Sequence, residues 1–192
     1  GVNVGAALAG LGIAGVAIGF AAQDSVANVI SGFLIFLDKP FQSGDWVDVV
    51  DHQGRVVEIT LRSTRIRTPS NTYVVIPNKM IIDQVLVNHS KHGETRLNIP
   101  IGIAYKQYIP QAREVLLQAI NGVDHVLQDP PPTVVVMECG DSSINLEMRP
   151  WIGDANHGAP VTAAVVEAAK LALDEAGIEI PFPHLQLFVD EV

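Results

Sequence analysis

The chain has 192 residues, 48% of them hydrophobic, with 12 basic and 21 acidic side chains for a net charge of −9. Its mean hydropathy of +0.28 is high for a soluble protein and low for a chain made wholly of membrane helices, which points to one membrane segment attached to polar domains. A single cysteine, Cys139, excludes an internal disulfide and suits a reducing compartment.

Charge is distributed unevenly. Residues 1–37 carry only Asp24, residues 38–92 carry seven basic and six acidic groups, and residues 93–192 carry five basic and fourteen acidic groups. The acidic distal part argues against nucleic acid as its partner.

The stretch Gly1 to Gln23 is dominated by glycine and alanine and has no charge before Asp24. As a helix, Val2 to Ala22 would span about 30 Å, the thickness of a bilayer core. Ala9, Ile13 and Ala17 repeat at i, i+4, and Gly12, Gly15 and Gly19 form a smooth neighbouring strip. Small residues belong where helix backbones approach closely, so this helix is expected to pack against copies of itself in a membrane. No basic segment precedes the run, which argues against a signal peptide; earlier membrane segments are expected instead. Two other readings stay open. One is a buried soluble helix. The other is a nucleotide-binding enzyme, because Gly10, Gly12 and Gly15 fit G-x-G-x-x-G and Asp38 ends the apolar run downstream.

Asp24-Ser25 interrupts the apolar run and offers N-cap chemistry. Beyond it, Val26, Val29, Ile30, Phe33 and Leu37 fall at helical spacing, with Asn28, Ser31 and Gly32 elsewhere on the turn. This reads either as an amphipathic helix lying at the membrane interface after a kink or as an ordinary core helix. Asp38-Lys39-Pro40 ends it. From Ser43 the period becomes two. Strands are expected at Asp45 to Val50, within Arg55 to Thr68, at Thr72 to Ile76 and within Ile81 to Asn88, with a turn at Asp51-His52-Gln53-Gly54. Short strands so closely spaced suggest a small, open, barrel-like (Sm-like) β-domain over residues 38–92.

From Gly93 to Val192 the rhythm is mixed. Arg96 to Tyr105 reads as a strand. Pro110 opens a helix with Ala112, Val115, Leu116, Ala119 and Ile120 on one face, and Gly122 ends it. Thr133 to Glu138 and Ile144 to Ile152 read as strands. Pro160 opens a second helix with Val161, Ala164, Val165, Ala168 and Ala172 on one face, and Ile178 to Val189 closes the chain as a last strand. The order βαββαβ is that of a ferredoxin-like α+β domain.

Chemistry-bearing constellations are weak. Gly140-Asp141-Ser142 lacks the strand–turn–helix elbow of a nucleophile and suits a tight turn. His89 and His92 have a metal-like spacing but no third ligand at a recognised distance. Arg62, Arg65 and Arg67, with Tyr73 near, leave open an RNA-binding Sm-like assembly. No catalytic residue, metal or cofactor is expected, and a non-enzymatic role is preferred.

Three stretches together resemble the small-conductance mechanosensitive ion channel (MscS-like) family: GAALAGLGIAGVAIGFAAQDSVANVISG; FLDKPFQSGDWVDV with the Gly54–Ile59, Thr64–Thr68 and Val74–Asn78 segments; and Gly177 to Pro183. The resemblance implies a homoheptameric channel of the inner (plasma) membrane with several membrane helices per subunit. It would open under tension to release ions and small solutes on osmotic downshock, in contact with membrane lipids. Residues 1–37 would form a kinked pore-lining and interfacial helix; residues 38–92 and 93–192 would be cytoplasmic, the chain closing on a terminal strand. Val16 and Phe20 would fall on the hydrophobic pore constriction, Ala9, Ile13 and Ala17 on packing knobs, Gly12, Gly15 and Gly19 on the matching grooves, and Gln23, Asp24 and Gly32 at the hinge. Asp24 stands where the best-known members carry a glycine, and a ring of its carboxylates is expected to draw cations.

Overall fold

The computed structural model describes residues 4–183. It divides into two compact units, the first ending at Lys91 and the second beginning at His92.

The first unit opens with α1 (Val4–Asp38), one uninterrupted helix of 35 residues. The N-cap expected at Asp24-Ser25 is therefore not formed. The Asp24 carboxylate is engaged elsewhere, by Lys79 Nζ at 3.1 Å, so it does not compete for backbone donors at its own position. Then follow β1 (Trp46–Val49), β2 (His52–Ile59), β3 (Ser63–Arg67), β4 (Tyr73–Pro77), a short α2 (Asn78–Ile82) and β5 (Val87–Asn88). The strands form one sheet in the order β4-β3-β2-β1-β5, antiparallel at every pairing. Alternation places Val47, Val49, Val56, Ile66 and Ile76 inward, where they bury with Ile35 and Phe41 in one core.

Two details differ from expectation. The β1–β2 turn is Val50-Asp51, both with positive φ (51° and 58°), and Val49 pairs with His52; this is a two-residue hairpin loop. The expected turn glycine, Gly54, lies inside β2. A Cβ there would stand 2.4 Å from the Arg67 carbonyl oxygen, so this glycine serves strand approach, not the turn. The stretch Ile81 to Asn88 supplies only Val87–Asn88 as strand, its start being the end of α2.

The second unit contains β6 (Thr95–Arg96), β7 (Ile99–Ile103), α3 (Ile109–Asn121), β8 (Thr133–Cys139), β9 (Ile144–Arg149), β10 (Trp151–Ile152) and α4 (Gly158–Glu175). Pro110 sits in the first turn of α3, where its missing N–H costs nothing, and Gly122 is the C-cap. A three-stranded sheet runs β7-β9-β8, and β10 pairs with β6. Ile144, Leu146 and Met148 alternate inward from β9, and Ala112, Leu116 and Ile120 of α3 pack into the same core. The buried row of α4 is Val161, Val165, Ala169 and Leu173, a strict i, i+4 line. Ala164 is exposed, because the larger Leu173 and Val165 set the helix rotation among many alanines. No strand forms over Ile178–Pro183, where Pro181 and Pro183 remove backbone donors; the remainder of the expected last strand, and residues 1–3, lie outside the described residues.

Candidate functional site

The two halves of α1 have different surroundings. Residues 7–21 are all exposed, with Ile13 at 73% and Phe20 at 74% of their surface. A Cβ added at Gly10, Gly12, Gly15 or Gly19 would meet nothing within 4 Å, so the glycines of the small-residue seam have no packing partner among the described residues. A contiguous apolar surface of this size marks contact with lipid or with other chains. The segment Ala7–Asp38 is long and apolar enough to cross a membrane.

The second half is seated on the sheet by its polar and small residues. Ser31, Gly32 and Ile35 are buried, and Asn28 partly so, at the i, i+3, i+4, i+7 spacing of one helix face. The apolar row Val26, Val29, Ile30, Phe33 and Leu37 points away and stays exposed. An ordinary core helix would bury that row; an interfacial helix presents it to lipid.

The seat is built around the β4–α2 junction. Asn28 Oδ1 accepts from the Lys79 backbone N–H at 3.0 Å, and Asn28 Nδ2 donates to the Asp24 carbonyl at 2.8 Å. One turn on, a Cβ at Gly32 would stand 2.3 Å from the Leu61 carbonyl oxygen and 2.5 Å from Asn78 Nδ2. Asn78 is fully buried. Its Nδ2 donates to the carbonyls of Thr60 at 3.0 Å and Leu61 at 3.2 Å, and its Oδ1 accepts from Thr64 Oγ1 at 2.9 Å. Asn78→Leu strands those groups in a dry site. It is expected to destabilise the first unit by about 2–3 kcal/mol, read as a lower denaturation midpoint that Thr64→Val partly restores.

The structure thus sorts the residues singled out in the sequence. Ala9, Gly12, Ile13, Gly15, Ala17 and Gly19 lie on the free half of α1. Val16, Gly19, Phe20 and Gln23 share one hollow face of it. Asp24 and Gly32 are brought to the β-domain at the i and i+8 positions of the row that includes Asn28. Lys79 and Asn78 were not singled out by sequence; the i, i+4, i+8 spacing of Asp24, Asn28 and Gly32 was the available signal.

Two alternative readings fail here. Gly10, Gly12 and Gly15 lie inside α1, so their backbone groups are engaged in the helix, and no strand-to-helix turn exists at which they could cradle a phosphate. Of the basic cluster, Arg65 is paired with Glu58, whose hydrogen bond and charge raise its pKa further above the ordinary value. Arg67 Nε donates to Asn71 Oδ1 at 2.6 Å. These two guanidiniums hold the sheet's own groups, which leaves Arg62 as the member of the cluster without an ion pair among the described residues. His89 Nε2 contacts Asp48 Oδ2 at 3.1 Å, and no group of three metal-ligating side chains occurs among the described residues. Gly140-Asp141-Ser142 is the turn between β8 and β9, with the Gly140 N–H donating to the Ser143 carbonyl at 2.8 Å.

Comparison with known proteins agrees with this division. Residues 24–91 match the family model of the mechanosensitive ion channel beta-domain, and residues 97–180 that of the MscS C-terminal region. The chain is 38% identical over 184 residues to an uncharacterized MscS family protein of Synechocystis sp., covering 96% of this chain and 62% of that one. It is 35% identical over 198 residues to the small-conductance mechanosensitive channel MscMJ of Methanocaldococcus jannaschii, covering 100% of this chain and 55% of that one. The small-conductance mechanosensitive channel of Edwardsiella ictaluri is 34% identical over 174 residues, 91% of this chain and 60% of its own length. This chain therefore spans between 55% and 62% of the length of these relatives. The crystal structure of Helicobacter pylori MscS in its closed state superposes with a TM-score of 0.87 at 24% identity, over 100% of this chain and 76% of that one. With both units matched by models of one family, the chain belongs to the MscS family of mechanosensitive ion channels.

Proposed function

We propose that this chain is a subunit of a tension-gated channel, with the exposed half of α1 lining the pore. The observation that carries the reading is the contrast between the halves of α1: residues 7–21 are exposed all round, small residues included, whereas in the second half Asn28, Ser31 and Gly32 face the protein and the apolar row Val26, Val29, Ile30, Phe33 and Leu37 faces outward. The seam of Ala9, Gly12, Ile13, Gly15, Ala17 and Gly19 then finds its partners on neighbouring copies, in a ring of seven by family resemblance. Val16 and Phe20, four residues apart and so on one helix face, form apolar rings that exclude water and hence ions from a narrow bore. Membrane tension favours whichever packing of the seam occupies more area, which requires two discrete arrangements of the helices. Gln23 and Asp24 mark the hinge region between pore and seat, and Gly32 is a second hinge position within the seated half. The role is permeation of ions and small solutes, with no catalysis and no cofactor.

In this reading the protein sits in the inner (plasma) membrane with further helices ahead of α1. Residues 38–92 are an Sm-like open barrel and residues 93–192 a ferredoxin-like domain, both cytoplasmic; the β7-β9-β8 order supports the latter, with β7 and β8 flanking an antiparallel β9 as in a split βαβ unit. The test is current through liposome patches containing the intact protein under stepwise suction. Steps of current that rise with tension, from a species whose cross-linking ladder ends at seven, are expected. A ladder that stops at monomer or dimer, or patches that stay silent to rupture, would count against it.

A further inference from the structure

The only charge of residues 1–37 is Asp24, at the inner end of the exposed half of α1. Taken alone, a ring of its carboxylates at a pore mouth would draw cations. The structure gives that carboxylate a partner. Lys79 Nζ lies 3.1 Å from Asp24 Oδ1, and Lys79 is held in place independently, its backbone N–H donating to Asn28 Oδ1 at 3.0 Å. Arg62 lines the same hollow as Asp24, Ser25 and Asn28 and forms no ion pair among the described residues. Each subunit thus brings two cations and one anion to this place.

We propose that Lys79 is a selectivity-determining residue, its ammonium cancelling the Asp24 ring so that, with Arg62, the inner mouth favours anions. This rests on the reading of α1 as the pore lining. The Asp24 side chain is 84% exposed, so the pair adds little to stability. Its effect on a passing ion is another matter. The ions of a salt solution screen charge over about 8 Å at physiological ionic strength. An ammonium 3.1 Å from a carboxylate lies well inside that distance, and the two act on the permeating ion as a dipole instead of a charge.

The test is the reversal potential of tension-activated current in excised patches of the intact protein under a potassium chloride gradient. Removing the ammonium with Lys79→Gln exposes the carboxylate ring and is expected to raise the cation-to-anion permeability ratio about sevenfold, because a potential of order one kT at the mouth enriches cations and depletes anions by about e-fold each. Asp24→Asn is expected to lower the ratio. The double variant should lie nearer the parent than either single variant, and Lys79→Arg should match the parent. A Lys79→Gln channel that reverses where the parent does would overturn the proposal while leaving the pore reading intact. Absence of tension-activated current in the parent would remove both. If Lys79→Gln does not assemble, Asp24→Asn decides: an unmoved reversal potential overturns the assignment.

Discussion

Phe20→Ser will open at lower membrane tension than the parent and will slow growth when expressed. The phenyl ring is exposed in the isolated chain, and in a closed ring it would be packed against its symmetry mates. Burial of such a side chain is worth up to about 3 kcal/mol, and the substitution both removes that surface and adds a hydroxyl that water can bond. Symmetry repeats the change in every subunit, so the closed state loses several times the single-site effect. Val16→Ser should act in the same direction and less, because valine buries less area. Phe20→Leu should stay close to the parent. Tension–response curves in patches decide the matter. Fewer assembled channels with an unchanged curve would make Phe20 a packing residue and remove it from the gate.

Gly32→Val is expected to have the largest effect on the fold. A Cβ at this position would lie 2.3 Å from a backbone carbonyl oxygen and 2.5 Å from the buried Asn78 amide. Neither is the free end of a flexible side chain: the carbonyl is main chain, and Asn78 is held by three hydrogen bonds. The helix must therefore lift from the sheet, pulling Ile35 out of the core it shares with Phe41 and Val47. Overpacking of this kind costs about 1–3 kcal/mol, to which the loss of Ile35 burial adds up to about 3 kcal/mol. Limited proteolysis between α1 and β1 should become fast in the variant and remain slow in the parent. Gly12→Ala is the contrast: a Cβ at its position meets nothing within 4 Å among the described residues, so proteolysis should be unchanged. An equally protected Gly32→Val would show that the seat is looser than its geometry requires.

The contrast between these two glycines also explains what could be read from sequence. Both lie in one helix, whose uncharged Gly/Ala run read as a membrane span with a buried helix and a nucleotide loop left open. The seat of its second half was not legible. Asn28, Ser31 and Gly32 look like the solvent side of an amphipathic helix, and for a soluble protein they would be. In the structure the polar and small residues turn inward and the apolar row turns outward, the inverse of the assignment for a soluble protein, and the proposed lipid on the outer side accounts for that inversion. Asn78 and Lys79 stayed hidden for another reason: α2 has five residues, too few for a periodic pattern to register. Turn chemistry misled at Val50, since a β-branched residue at positive φ is not a turn signal. In the second unit α3, α4 and β8 followed period and proline placement, but the expected strand Arg96–Tyr105 is split into β6 and β7, Ile144–Ile152 is broken at Pro150 into β9 and β10, and no strand forms over Ile178–Pro183. The face of α4 also differed, because alanines on every side left Val165 and Leu173 to set the rotation.

In the proposed channel the Val16–Phe20 face of α1 lines the open permeation path. Thiol accessibility at single positions distinguishes that face from the opposite one. Cys139 is free and exposed, so it is first replaced by serine, and one cysteine is then placed at position 20 or at position 18, on the opposite side of the helix. A charged, membrane-impermeant thiol reagent is applied while suction holds the patch open. Modification at position 20 is expected to cut the open-channel current or hold the pore open when suction is released, whereas modification at position 18 should change neither. Block at position 18 with none at position 20 would contradict the assignment of α1 faces and, with it, the gate.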